Sequence, residues 1–279
     1  MGIAKSSLAA APHPCYRRLM ATRSAYMVHY KDKLFADSED VVFNAASIAK
    51  LHILDAYIND PDGADADWGT YIRINDDHRC TGSGVLLNLE DSIEHLSAKN
   101  AAELMISLSD NTASNMMIST FSDKAQYSTR CLNEVLRNLG YSKTGFGAWY
   151  GGKHRDPSGK SQIDQRCFSF DAAATTTARE ALTAAERLFD NPEARAMMEH
   201  SQDRRGLFKD GAAPDGCVVG HKTGYVDGVR HDVGWWRPTD GTEPVFAAFL
   251  TDSDSFTGAD GWSVIDSMVA SLASAVSEG

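Results

Sequence analysis

Three short stretches of the sequence hold residue types that could do chemistry together. In FNAASIAK, Phe43 to Lys50, the hydroxyl of Ser47 stands three residues ahead of the primary amine of Lys50. Three residues are nearly one helical turn, so in a helix the two groups share a face. The LHILDAYI that follows is almost entirely apolar, which predicts a buried helix opening at Ser47. Burial disfavours an ammonium ion, lowers the lysine pKa and leaves a neutral amine able to take a proton from a hydroxyl. At the start of a helix, the backbone N–H of the serine can also donate to an oxyanion. Alone the pattern is weak, because 26 serines and 11 lysines in 279 residues give about one S-x-x-K by chance.

The second stretch is Ser109-Asp110-Asn111, between one predicted helix and the next. It offers a hydroxyl for proton relay and an amide for holding a substrate carbonyl. It also reads as a plain helix stop with Asn111 or Thr112 as the next N-cap. The third is Lys222-Thr223-Gly224, inside a predicted strand. Lys222 supplies positive charge, Thr223 a hydroxyl for a carboxylate, and Gly224 room for close approach of a substrate backbone. An ordinary strand with a surface lysine has the same residues. Composition gives about a tenth of an SDN and about a twentieth of a KTG per chain, so all three together by chance is under about one in a hundred.

The elements that must position these groups follow from periodicity and punctuation. Residues 12–23 suit a short helix, and SAYMVHYKDKLFADSEDVVFN reads as two strands around a polar turn. Ala101, Leu104, Met105 and Leu108 line one face of a helix that ends near Ser109. TASNMMISTF and NEVLRNLG continue helically, the latter stopped by Gly140. From Thr144 to Ala174 the pattern dissolves into a long functional or mobile loop. TTTAREALTAAERLF resumes as a helix with a threonine N-cap. CVVGHKTGYV, HDVGWWRP and PVFAAFLTDS read as strands and WSVIDSMVASLASAVSE as a closing amphipathic helix. This order predicts an α+β architecture: residues 1–46 and 200–279 form an α/β lobe, an antiparallel sheet flanked by helices, and residues 47–199 form an inserted helical lobe.

The composition bounds the function. A hydrophobic fraction of 43% over 279 residues supports a substantial core. A net charge of -11 without any Lys/Arg block argues against nucleic-acid and anionic-membrane partners. No apolar run is long enough for a membrane span or a secretory signal, so the chain as written is expected to be cytoplasmic, or periplasmic or secreted if an export signal has been removed. Cys15, Cys80, Cys131, Cys167 and Cys217 are dispersed and read as mostly buried, reduced thiols. Asp76, Asp77, His78 and Cys80 look like a polar loop rather than a metal site, and Gly82-Ser83-Gly84 lacks the context of a nucleotide loop. No cofactor is expected.

S-x-x-K, SDN and KTG, in that order, resemble the motif set of class A β-lactamases and penicillin-binding proteins. GSGVLLNL, VLRNLGYSKT, ATTTARE and the HDVG after KTG look like the corresponding class A segments, so the resemblance covers nearly the whole chain. It implies a sandwich of helices around an antiparallel sheet, with the site between sheet and helical lobe. It further implies Ser47 as nucleophile, Lys50 as its base or proton relay, and Ser109 as the shuttle to the leaving nitrogen. Asn111 would hold the substrate amide, Lys222 and Thr223 its carboxylate, and Arg230 would be an additional carboxylate anchor. The N–H groups of Ser47 and Tyr225 would form the oxyanion hole, and Asp232 would be structural.

The resemblance breaks at one place. Class A enzymes carry a glutamate, in an E-x-x-L-N segment, that activates the water releasing the acyl group; here no glutamate lies between Glu134 and Glu180. Counting forward from SDN puts that position near Gly145, and counting back from TTT puts it near Ser161. Asp156, Asp164, Asp171 and His154 are the substitutes the loop offers. The sequence therefore points to an amide-, lactam- or ester-cleaving serine enzyme acting on a small substrate with a carboxylate, a β-lactamase among the candidates. A DD-peptidase-like enzyme or a sensor acylated without turnover is the alternative.

Overall fold

The computed structural model describes residues 22–61, 66–89, 93–152, 174–209, 211–257 and 261–277. The short helix expected at 12–23, together with His154, Asp156, Asp164, Asp171, Cys15 and Cys167, falls wholly or mostly outside them.

Strands β1 (Arg23–Tyr30) and β2 (Lys33–Asp37) form the predicted N-terminal hairpin. A two-residue strand β3 (Phe43–Asn44) leads into a 3-10 turn at Ala46–Ile48 and then helix α1 (Ala49–Asn59). Strands β4 (Tyr71–Arg73) and β5 (His95–Ser97) pair with each other ahead of α2 (Ala98–Ser107), α3 (Asn111–Ser119) and α4 (Ala125–Asn138). Short strands β6 (Gly145–Phe146) and β7 (Ala174–Thr176) precede α5 (Ala178–Asp190) and α6 (Pro192–Glu199). Strands β8 (Cys217–Val226), β9 (Val229–Pro238) and β10 (Val245–Asp252) and helix α7 (Trp262–Ser277) close the chain.

The main sheet has the order β2-β1-β10-β9-β8 and its pairings are antiparallel, so both chain ends build it. Alternate residues of a strand face opposite sides. Ala25, Met27, Val233, Trp235, Ala248 and Leu250 accordingly join the core of the helices, whereas Val28, Trp236, Val245, Ala247 and Phe249 pack with Ile265, Val269 and Leu272 of α7. The fold is α+β, with helices on both faces of an antiparallel sheet. Helix α1 is buried from Ala49 to Ala56, as its apolar sequence demands.

Two details differ from the sequence reading. The helix predicted for NEVLRNLG begins eight residues earlier, at Ala125, and its buried side chains Ser128, Thr129, Leu132, Val135 and Leu136 include polar ones that hide the period. Helix α6 has no counterpart in the sequence reading, although Asn191 caps it by accepting from Ala194 N and Pro192 opens it.

Candidate active site

Ser47 sits in the 3-10 turn and Lys50 in the first turn of α1. The preceding Ala46 has φ 45°, a left-handed value costing a non-glycine residue about 1–3 kcal/mol, and its N–H is held by Asn44 Oδ1 at 3.0 Å. Ser109 is also left-handed, with φ 56°, just after the end of α2 where glycine or asparagine is usual. In that conformation the chain doubles back, Asp110 N bonds Leu104 O at 3.0 Å, and the Ser109 hydroxyl meets Lys50. The strain lies on both sides of the amine.

Lys50 is fully buried and its Nζ touches four oxygens: Ser47 Oγ at 3.1 Å, Ser109 Oγ at 2.9 Å, Ser109 O at 2.7 Å and Asn111 Oδ1 at 2.8 Å. The last two can only accept. Asn111 Nδ2 is committed to Thr81 O at 2.9 Å, which fixes the orientation of the amide and leaves Oδ1 toward the lysine. Burial, and secondarily the charge of Lys222, push the Lys50 amine well below the ordinary ammonium range. A neutral amine has two N–H bonds and one lone pair. Once the two N–H bonds point at Ser109 O and Asn111 Oδ1, the lone pair is left for a hydroxyl proton. Buried, donating to two acceptors and facing two hydroxyls, Lys50 is arranged as a base.

Asp110, rather than Asn111 or Thr112, caps α3 by accepting from Ala113 N at 2.9 Å. Its other oxygen takes the N–H groups of Val85 and Leu86 at 2.6 and 2.9 Å, tying the Gly82–Gly84 loop to the site. Gly84 has φ 105°, and a Cβ there would lie 2.2 Å from the Asp110 carboxyl carbon. Gly84→Ala is therefore expected to cost about 2–4 kcal/mol in denaturant unfolding. An unchanged midpoint would show that the loop yields freely.

Lys222, Thr223 and Gly224 lie on β8, at the edge of the sheet. Gly224, expected to give room to a substrate backbone, has a further use on the side that a Cβ would occupy. Its missing side chain is replaced by the turn carrying Ser47: a Cβ would meet Ile48 N at 3.0 Å and Ala45 O at 3.1 Å. That close packing brings the segments of Ser47 and Tyr225 side by side. Lys222 is buried, donates to Thr223 O at 2.7 Å and is pushed down to about 8, burial outweighing the attraction of Asp203 and Asp232. The Thr223 hydroxyl donates to Asp203 Oδ2 at 2.6 Å. Arg230 is fully buried, and its Nη1 donates to Val226 O and Val229 O, both at 2.6 Å. These bonds place Arg230 on the backbone of the β8–β9 turn. Asp232 is buried between His221 Nδ1 at 2.9 Å and Leu207 N at 2.6 Å.

The sequence profile of the Beta-lactamase enzyme family matches residues 21–276. The chain belongs to that family. No curated protein matches it. Among solved structures, the β-lactamase of Sphaerobacter thermophilus is 21% identical with TM-score 0.70, over 90% of this chain and 89% of that one. The class A β-lactamase of Mycobacterium abscessus is 16% identical with TM-score 0.71, over 94% and 96%. PBP-A is 20% identical with TM-score 0.73, over 95% of each chain. A point mutant of PBP-A, 21% identical with TM-score 0.73 over 94% and 93%, is an acyl-enzyme complex with penicillin G. At these identities the structures share the fold.

This β-lactamase-family chain also has site groups that the motifs did not reveal. Asp203 accepts from Arg205 at 2.8 and 2.6 Å as well as from Thr223. Burial would raise its pKa, but these bonds outweigh it and hold the carboxyl at about 2. The Arg205 guanidinium lies 4.5 Å from the ring centroids of both Tyr225 and Trp262. Tyr150 covers Lys50, its ring centroid 4.7 Å from Nζ. The charged run DRR was the one sequence signal for Asp203 and Arg205; nothing marked Tyr150 apart from its aromatic neighbour Trp149. Among the described residues no helix is long and apolar enough to cross a membrane.

Proposed function

We propose that this β-lactamase-like serine hydrolase works through an acyl-Ser47 intermediate formed from the amide, lactam or ester of a small substrate bearing a carboxylate. One observation carries the reading: the buried Lys50 amine within hydrogen-bond reach of both Ser47 Oγ and Ser109 Oγ. Ser47 Oγ attacks the carbonyl carbon as its proton passes to Lys50. The tetrahedral oxyanion is received by the N–H groups of Ser47 and Tyr225. Its collapse breaks the bond to nitrogen, which takes a proton through Ser109 Oγ. Lys222, near Thr223 and Arg205, supplies the charge that orients the carboxylate.

A slow-releasing, penicillin-binding or DD-peptidase-like enzyme is the second reading. The oxygens that Lys50 Nζ contacts among the described residues belong to Ser47, Ser109 and Asn111, and none is a carboxylate. Intact-mass spectrometry after mixing with a penicillin, beside a chromogenic cephalosporin assay, separates the two. Both readings expect the mass of one whole penicillin on Ser47, since ring opening loses no atoms. Rapid colour change with a short-lived adduct supports a β-lactamase, and a lasting adduct without colour supports the second. Neither adduct nor turnover would remove both.

A further inference from the structure

Tyr150 is a buried phenol whose hydroxyl has no part in the proposed acyl transfer. Its ring lies over the Lys50 amine, and its hydroxyl has no hydrogen-bond partner among the described residues. It is also held in place. Tyr150 N donates to Asn115 Oδ1 at 2.9 Å, while Asn115 Nδ2 donates to Tyr150 O at 3.2 Å and His78 O at 3.1 Å. Asn115 is fully buried in α3, and the neighbouring Trp149 stacks on His78 with ring centroids 5.5 Å apart. Gly151 follows with φ 77°, its absent Cβ 3.1 Å from Cys80 Sγ, so the turn is packed onto the segment that leads to Gly82.

Burial pushes the phenol far above its ordinary pKa, so Tyr150 stays protonated and offers no base. The face of its ring attracts an ammonium by only about 0.5–2 kcal/mol, less than the cost of burying one. The net effect of the ring on Lys50 is removal of solvent.

We propose that Tyr150 is a positioning residue that keeps water from the Lys50 amine, so that acyl-Ser47, once formed, is hydrolysed slowly. Hydrolysis adds a water oxygen to the acyl carbon and breaks its bond to Ser47 Oγ. One water proton passes by way of Lys50 to Ser47 Oγ, and the other leaves with the carboxylic acid. That transfer requires a water molecule beside Nζ, where the ring stands. The same ring keeps the amine neutral for acylation, so it favours the first half of the reaction and retards the second. The inference rests on the acyl-Ser47 reading.

The test is a time course of the penicillin adduct by intact mass, with acylation rates measured across pH, on the full chain and on Tyr150→Gly and Tyr150→Phe. The wild type should hold its adduct long after acylation is complete. The glycine variant should lose the adduct about ten-fold faster or more, and its acylation midpoint should move to higher pH as the amine is rehydrated. The phenylalanine variant, which keeps the ring, should restore both properties. Three results would overturn the proposal: a wild-type adduct that never accumulates during turnover, a glycine variant that matches the wild type in lifetime and midpoint, or a phenylalanine variant that releases as fast as glycine. The first needs no variant to fold. Absence of any adduct on wild-type Ser47, with no turnover, instead removes the acyl-enzyme reading and this inference with it.

Discussion

Ser47→Ala keeps its mass unchanged after incubation with a penicillin that labels the wild type, and its hydrolysis of any substrate falls roughly 10⁴-fold or more. The size of the effect follows from the covalent route: without Oγ no ester forms. The fold should be almost indifferent. Ser47 is half-buried and its hydroxyl contacts Lys50, which keeps three other oxygens around Nζ. The thermal midpoint should therefore shift by the equivalent of about 1 kcal/mol or less. Intact mass and peptide mapping check the result. A surviving adduct on another residue, Ser109 included, would move the nucleophile and undo the site as assigned.

The second large effect belongs to Lys50. Lys50→Met keeps an unbranched chain in the pocket but removes the amine, and acylation should drop roughly 10²–10⁴-fold. Asn111 Oδ1 and Ser109 O then lose a donor, so some stability is lost too, and the rate must be read on folded protein. The wild-type pH profile carries the sign. Protonated Lys50 cannot accept from Ser47, so acylation rises with pH through the depressed pKa of the amine. Lys222 adds the opposite dependence. Its pKa of about 8 means that its charge fades as pH passes that value, and with it the attraction for a substrate carboxylate. A carboxylate-bearing penicillin should thus give a bell-shaped profile, and its methyl ester a curve without the alkaline fall. Because the two lysines influence each other, both limbs belong to the pair. A flat profile for the acid, or identical profiles for acid and ester, would contradict these assignments.

The helices and strands were readable in the sequence wherever local pattern and tertiary packing agree. Ala101, Met105 and their neighbours stand at helical spacing because α2 buries one face, and Thr177 caps α5 as its position before an apolar repeat suggested. The beginning of α4 and all of α6 escaped because polar residues dilute their apolar faces, and only caps or packing mark the ends. The long stretch after Thr144 has no period to read, so the position of Tyr150 over Lys50 had no signature.

By itself, the sequence determined the family, the α+β class and the triad of motifs from which the site is built, because spacing along a helix or strand is a local property. The tertiary structure decided what each group is free to do. The missing Cβ of Gly224 makes room for the turn that carries Ser47. Thr223 donates a hydrogen bond to Asp203, and Arg230 donates to the backbone of its own turn. Lys50 is buried and set against two hydroxyls, an environment in which its amine can accept a proton. Desolvation and hydrogen-bond commitments arise between segments far apart in the chain, and only the folded molecule brings those segments together.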